Sequence, residues 1–110
     1  MVSISSRSEG PETVIRVHGR IDAVTAPDFK QACLEAVHGG QKIVVVDFGG
    51  VQFLSSAGLR SLLLVGKELR EREGVLRLAN IPSDINRVFE LSNFYSLFPR
   101  FDSVEKATEG

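Results

Sequence analysis

The run Ile43-Val44-Val45-Val46 constrains this chain more than any other feature. Four consecutive β-branched residues offer no polar face to water, so the segment reads as a central strand covered on both sides. A strand of that kind needs amphipathic helices packed against it, and the flanking sequence supplies them. Upstream, Phe29, Ala32, Cys33, Ala36 and Val37 recur at i, i+3, i+4, i+7 and i+8, one apolar helix face. Thr25 stands at the start of that helix as an N-cap, Pro27 is tolerated in the first turn and Asp28 suits the helix dipole. Gly39-Gly40 ends it. Downstream, a second helix is expected from Ser55 or Ser56 to near Arg72, with Gly74 as its stop. Leu59, Leu62, Leu63, Gly66 and Leu69 form its expected inner face, and the mixed charges of Lys67 to Glu73 a solvated one.

The same alternation extends to both ends. Val2 and Ile4 alternate with serines as a half-buried first strand, and Glu9-Gly10-Pro11-Glu12 is a turn. Thr13 to Val17 reads as a second strand, antiparallel to the first, with Ile15 and Val17 on one face. Leu76 and Leu78 mark a further strand, and Pro82-Ser83 opens a third helix carrying Ile85, Val88 and Phe89. Leu97-Phe98 is expected as a short strand, and Asp102 or Ser103 as the cap of a last short helix. The expected fold is α/β: a mixed sheet of four to five strands, an N-terminal antiparallel hairpin followed by βα units, and about four helices. A single domain over residues 1–110 is long enough to bury about 65% of the unfolded chain's surface in one core.

Charge and cysteine usage narrow the setting. Thirteen basic against 14 acidic side chains give a formal net charge of −1, without the basic excess of a dedicated nucleic-acid binder. The apolar runs Ile43 to Val46 and Leu62 to Val65 are far too short to cross a bilayer, and Met1 to Gly10 lacks the apolar core of a signal peptide. Cys33 is the only cysteine, which excludes an intrachain disulfide or thiolate metal cluster and fits a reducing compartment. The expected protein is soluble and cytoplasmic.

Catalytic patterns are missing. There is no G-x-G-x-x-G and no P-loop. Ser56 precedes Ala57-Gly58, but Leu54 stands where a nucleophile elbow needs glycine. Asp47-Phe48-Gly49 imitates a kinase metal-binding triplet without its companion motifs and reads as a strand ending in a turn. His18 and His38 read as surface or capping residues, and Cys33 as core. No catalytic residue, metal or cofactor is expected. One stretch asks for more than packing: Ser55-Ser56-Ala57-Gly58 enters the second helix through two adjacent serines. Capping explains one of them. Gly58 in the first turn costs about 1 kcal/mol relative to alanine, and a small residue there permits close approach. A phosphate on a serine at a helix start would meet free N–H groups and the positive dipole end.

These residues resemble the STAS domain family, specifically the stand-alone bacterial anti-sigma factor antagonists. The likeness covers nearly the whole chain: Gly19-Arg20-Ile21-Asp22, Ala26-Pro27-Asp28-Phe29, Ile43 to Asp47, Val51, Phe53, Ser55 to Leu59, and Phe101 to Ala107. The resemblance implies a protein that binds an anti-sigma factor, itself often a serine kinase, and so releases the sigma factor. Phosphorylation at the start of the second helix abolishes that complex and a serine phosphatase restores it. By this resemblance Ser56 is the phosphoacceptor, with Ser55 the alternative. Asp22, Thr25, Ser55, Ser56, Ala57, Gly58 and Arg60 are the expected partner-binding residues, with neither direct nucleic-acid contact nor membrane insertion. The commonest form of the family motif carries aspartate where this chain has Ser55. That departure leaves a second implied role, a phosphorylation-independent scaffold subunit of a membrane-associated complex of the lipid-transport type.

Overall fold

A computed structural model describes residues 2–109 and shows one five-stranded sheet in the order β1-β2-β3-β4-β5. The elements in chain order are β1 (Val2–Glu9), β2 (Glu12–Ile21), α1 (Ala26–His38), β3 (Ile43–Leu54), α2 (Ser56–Glu71), β4 (Val75–Ala79), α3 (Ser83–Leu91), a 3-10 turn (Phe94–Ser96), β5 (Arg100–Phe101) and α4 (Val104–Glu109). β1 and β2 form the expected antiparallel hairpin, and the remaining pairs are parallel. Because β2 to β5 lie side by side in sequence order, successive crossovers of the same hand place α1, α2 and α3 on one face of the sheet. Ile15, Val17 and Ile21 of β2, Val44, Val46 and Phe48 of β3, and Leu76 and Leu78 of β4 meet those helices in the main core. The opposite face is covered at one end only, where Val104 and Ala107 of α4 pack on Val14, Val45 and Ala79. Val44, Val45 and Val46 are fully buried, as a run without a polar face requires.

Four local expectations are corrected. Asp47-Phe48-Gly49 does not end its strand: β3 continues through both glycines to Leu54. A Cβ at Gly49 would collide with the Asn80 side chain and one at Gly50 with the His18 ring, so these glycines clear space for neighbours rather than making a turn. The inner face of α2 is rotated from the expected stripe. Leu63 is 41% exposed and Leu59 only half-buried, whereas Ser61 and Val65 are buried. Gly66 stays inside because the Phe98 ring occupies the place of its absent side chain. At the end of α2 the left-handed residue is Glu73 (φ 62°), not Gly74. Gly74 is small because a Cβ there would stand 2.5 Å from the Lys42 carbonyl oxygen. Finally, Leu97-Phe98 is not a strand. Left-handed Asn93 starts a 3-10 turn, Phe98 turns inward, and Arg100–Phe101 forms β5 instead.

The cap of the last helix and the core position of Cys33 are as expected. Ser103 caps α4, its Oγ accepting the Lys106 N–H at 3.2 Å. Phe94, Tyr95 and Phe98 pack with Phe89 and Phe48 in a connected aromatic cluster. Cys33 is buried, and burial pushes its thiol up to about 12.

Candidate functional site

β2 and β3 end together, with Ile21 paired to Leu54. Their following segments stay joined by a hydrogen bond from the Ser55 N–H to the Ile21 carbonyl at 2.9 Å. That bond places the Asp22 loop beside the N-terminus of α2.

The loop is built around one carboxylate. Asp22 Oδ1 accepts the N–H groups of Val24 and Thr25, both at 3.0 Å. Thr25 occupies the N-cap position of α1, but its hydroxyl does not cap the helix. It donates to the Arg20 carbonyl at 2.7 Å and accepts the Asp22 N–H at 2.9 Å. Asp22 and Thr25 thus hold a turn, and the turn presents Val24, which is 84% exposed. The Thr25 N–H is the largest influence holding the Asp22 carboxyl below its ordinary value of 3.8; desolvation, the next in size, opposes it, and the Thr25 hydroxyl, the Val24 N–H and the nearby Arg20 charge act with it. On acidification the unfolded chain therefore takes up this proton before the folded protein does. The stabilisation from Asp22 is fully present above pH 3.8 and is lost as pH falls through the lower folded value. Asp22→Ala is expected to lower the melting temperature at neutral pH, with the gap to wild type closing in strong acid. Thermal melts across that range read this directly.

The serine pair divides its work. Ser55 is the N-cap of α2, in extended conformation, and its Oγ accepts the Gly58 N–H at 3.3 Å. Ser56 is the first helical residue and is exposed. The first turn of α2 contains no acidic residue, so the free N–H groups at its start have no local carboxylate. Ser55→Ala should cost about 1 kcal/mol of stability through the lost cap. Ser56→Ala should stay within about 0.5 kcal/mol. Urea unfolding of the two variants distinguishes them.

Gly58, expected among the partner-binding residues, does not reach the surface. It is buried, and a Cβ there would stand 2.5 Å from Leu54 Cδ1 and 2.8 Å from Ile21 Cγ2. The close approach it permits is internal, between α2 and the strand ends. Ala57 is half-buried and Arg60 exposed. Both line a shallow groove of about 330 Å³ between the starts of α1 and α2, with Ala23, Pro27, Lys30 and Leu64. The sequence reading missed Val24, Lys30 and Leu64. Leu64 was hidden because the run Leu62-Leu63-Leu64-Val65 has no polar residue to set the phase of the helix. Among the described residues no cluster of three or more His, Cys, Asp or Glu is placed to hold a metal ion, and no helix is long and apolar enough to cross a membrane.

The STAS domain family model matches residues 4–107. The protein BtrV of Bordetella bronchiseptica is 37% identical over 91 residues, which cover 83% of this chain and 78% of BtrV. The anti-sigma-B factor antagonist of Listeria monocytogenes is 37% identical over 79 residues, covering 71% of this chain and 68% of that protein. The crystal structure of an anti-sigma factor antagonist from Mycobacterium paratuberculosis superposes with a TM-score of 0.88 at 26% identity, covering 97% of this chain and 91% of that one.

Proposed function

The chain belongs to the STAS domain family, and from that membership we propose that it is an anti-sigma factor antagonist, switched by phosphorylation of Ser56. It binds an anti-sigma factor with serine kinase activity, frees the sigma factor, and loses that partner once the kinase has modified it. A serine phosphatase restores the binding form. The protein acts in the cytoplasm as a binding switch rather than an enzyme.

One observation carries this reading: of two adjacent serines at the start of α2, Ser55 is committed to capping while Ser56 is exposed. The surface around it supports partner binding. Val24 and the groove beside Ala57 supply apolar contact, Arg60 and Lys30 supply charge, and Asp22 and Thr25 fix the loop. A phosphate adds about −1.5 to −2 charge units at the first residue of the helix. The helix end tolerates that charge, because its dipole and free N–H groups favour an anion. The partner interface does not, since the phosphate brings repulsion, bulk and a desolvation cost to a surface that must close. The switch therefore works without a change of fold.

Incubation with the cognate anti-sigma factor kinase and ATP should place one phosphate on Ser56, mapped by mass spectrometry. Ser55→Ala should still be modified and Ser56→Ala should not. Modification of Ser56→Ala at the wild-type level would overturn the assignment. The scaffold reading draws support from Ser55 standing where the family motif commonly has aspartate. It predicts stable co-purification with a membrane-complex ATPase whatever the state of Ser56.

A further inference from the structure

The cations of α2 differ in what surrounds them. Arg72, at the helix end, lies 3.9 Å from Glu68 one turn back, and Lys67 has Glu71 four residues on. Arg60 has no such neighbour. The residues three and four positions away from it on the helix are Ala57, Ser56, Leu63 and Leu64, none of them acidic. Ion pairs among the described residues engage Arg16, His38, Arg72 and Lys106, and Arg60 is in none of them. Ser56, Arg60, Leu63 and Leu64 are all exposed, so they form one outer stripe of the helix.

The surroundings offer Arg60 no counter-charge either. The groove between α1 and α2 is lined by two cations, Arg60 and Lys30, and by no acidic side chain. Asp22, in the neighbouring loop, spends Oδ1 on the N–H groups of Val24 and Thr25. The one helical neighbour of Arg60 that can acquire negative charge is Ser56.

We propose that Arg60 is the residue that clasps the phosphate once Ser56 carries one. This role rests on the proposed modification of Ser56 and specifies how the modified surface is arranged. A helical side chain leans toward the N-terminus, over the residue four positions earlier, and for Arg60 that residue is Ser56. Acid before base at this spacing is also the favoured order on a helix. The guanidinium fork matches two phosphate oxygens, which a lysine ammonium does not. The phosphate then alters the partner surface twice. It adds an anion, and it draws Arg60 away from the groove, leaving Lys30 as the cation that lines it.

The test uses the full chain with phosphoserine placed at position 56 during synthesis, so no kinase is needed. Phosphorus NMR follows the second ionisation of the phosphate, ordinarily near pH 6. A clasping cation favours the dianion and lowers that midpoint. Arg60→Gln should therefore raise it by about 0.2–0.4 pH units relative to the Arg60 protein. Arg60→Lys should recover only part of the difference, because it keeps the charge and loses the fork. Lys67→Gln, with its charge about three turns from Ser56, should leave the midpoint unchanged. An unchanged midpoint in Arg60→Gln, or an equal shift in Lys67→Gln, would overturn the clasp. A larger shift in Lys30→Gln than in Arg60→Gln would also overturn it and assign the phosphate to α1. Failure of the anti-sigma factor kinase to modify Ser56 would overturn the switch instead, with the titration still reading the clasp.

Discussion

Ser56→Asp is expected to weaken binding to the cognate anti-sigma factor by roughly 10- to 100-fold, about 1.4–2.7 kcal/mol. The loss should come without loss of stability. Ser56 is exposed at the first position of α2 and the first turn has no acid, so a carboxylate there complements the dipole. That contribution is about 0.3–1 kcal/mol in favour of the folded state. Weaker binding beside equal or higher resistance to urea separates a charge effect at the interface from misfolding. Added salt should shrink the binding loss, since repulsion between exposed charges is screened. Calorimetric titration at two ionic strengths, with urea melts of the same preparations, measures both. Ser56→Ala should bind as wild type does, because it removes a hydroxyl without adding charge.

Phe89→Ala is expected to cost about 3–5 kcal/mol of stability. Phe89 is fully buried on α3, a helix of nine residues whose buried side chains are Ile85 and Phe89. Its ring meets Phe48 edge-on at 5.2 Å between centroids, Phe94 at 5.4 Å and Tyr95 at 5.8 Å. Truncation removes the ring that links Phe48 of the central strand to Phe94 and Tyr95. The hydrogen bonds of Asn86 to Tyr95 and Arg100 cannot replace it, because they lie at the periphery. Against a typical domain stability of about 5–15 kcal/mol, that is a large fraction. Leu91→Ala on the same helix should change stability by less than about 0.5 kcal/mol, since Leu91 is 81% exposed. Urea midpoints of the two variants give the contrast.

How much was legible in the sequence follows from how local each signal is. The Ile43–Val46 run and the flanking helical periods define the sheet's centre and its βα order, because burial on two faces leaves a direct imprint on composition. Gly49-Gly50 misled because a glycine that makes a turn and one that clears space look alike in sequence. Only Asn80 and His18, remote in the chain, tell them apart. The face of α2 was misphased for the reason its leucine run suggests, and Gly66 was placed correctly because one distant ring, Phe98, needs the room. The serine pair was visible as an anomaly, but its division into cap and exposed hydroxyl depends on backbone geometry at Ser55. The bare second face was not visible at all. It arises from strand order, which puts three helices on one side and leaves α4 alone on the other.

Calorimetric titration of the cognate anti-sigma factor with unphosphorylated and with Ser56-phosphorylated protein tests the central claim most directly. The unphosphorylated form should bind, and the phosphorylated form should bind at least roughly tenfold more weakly while retaining the same fold. Equal affinities for the two forms would contradict it.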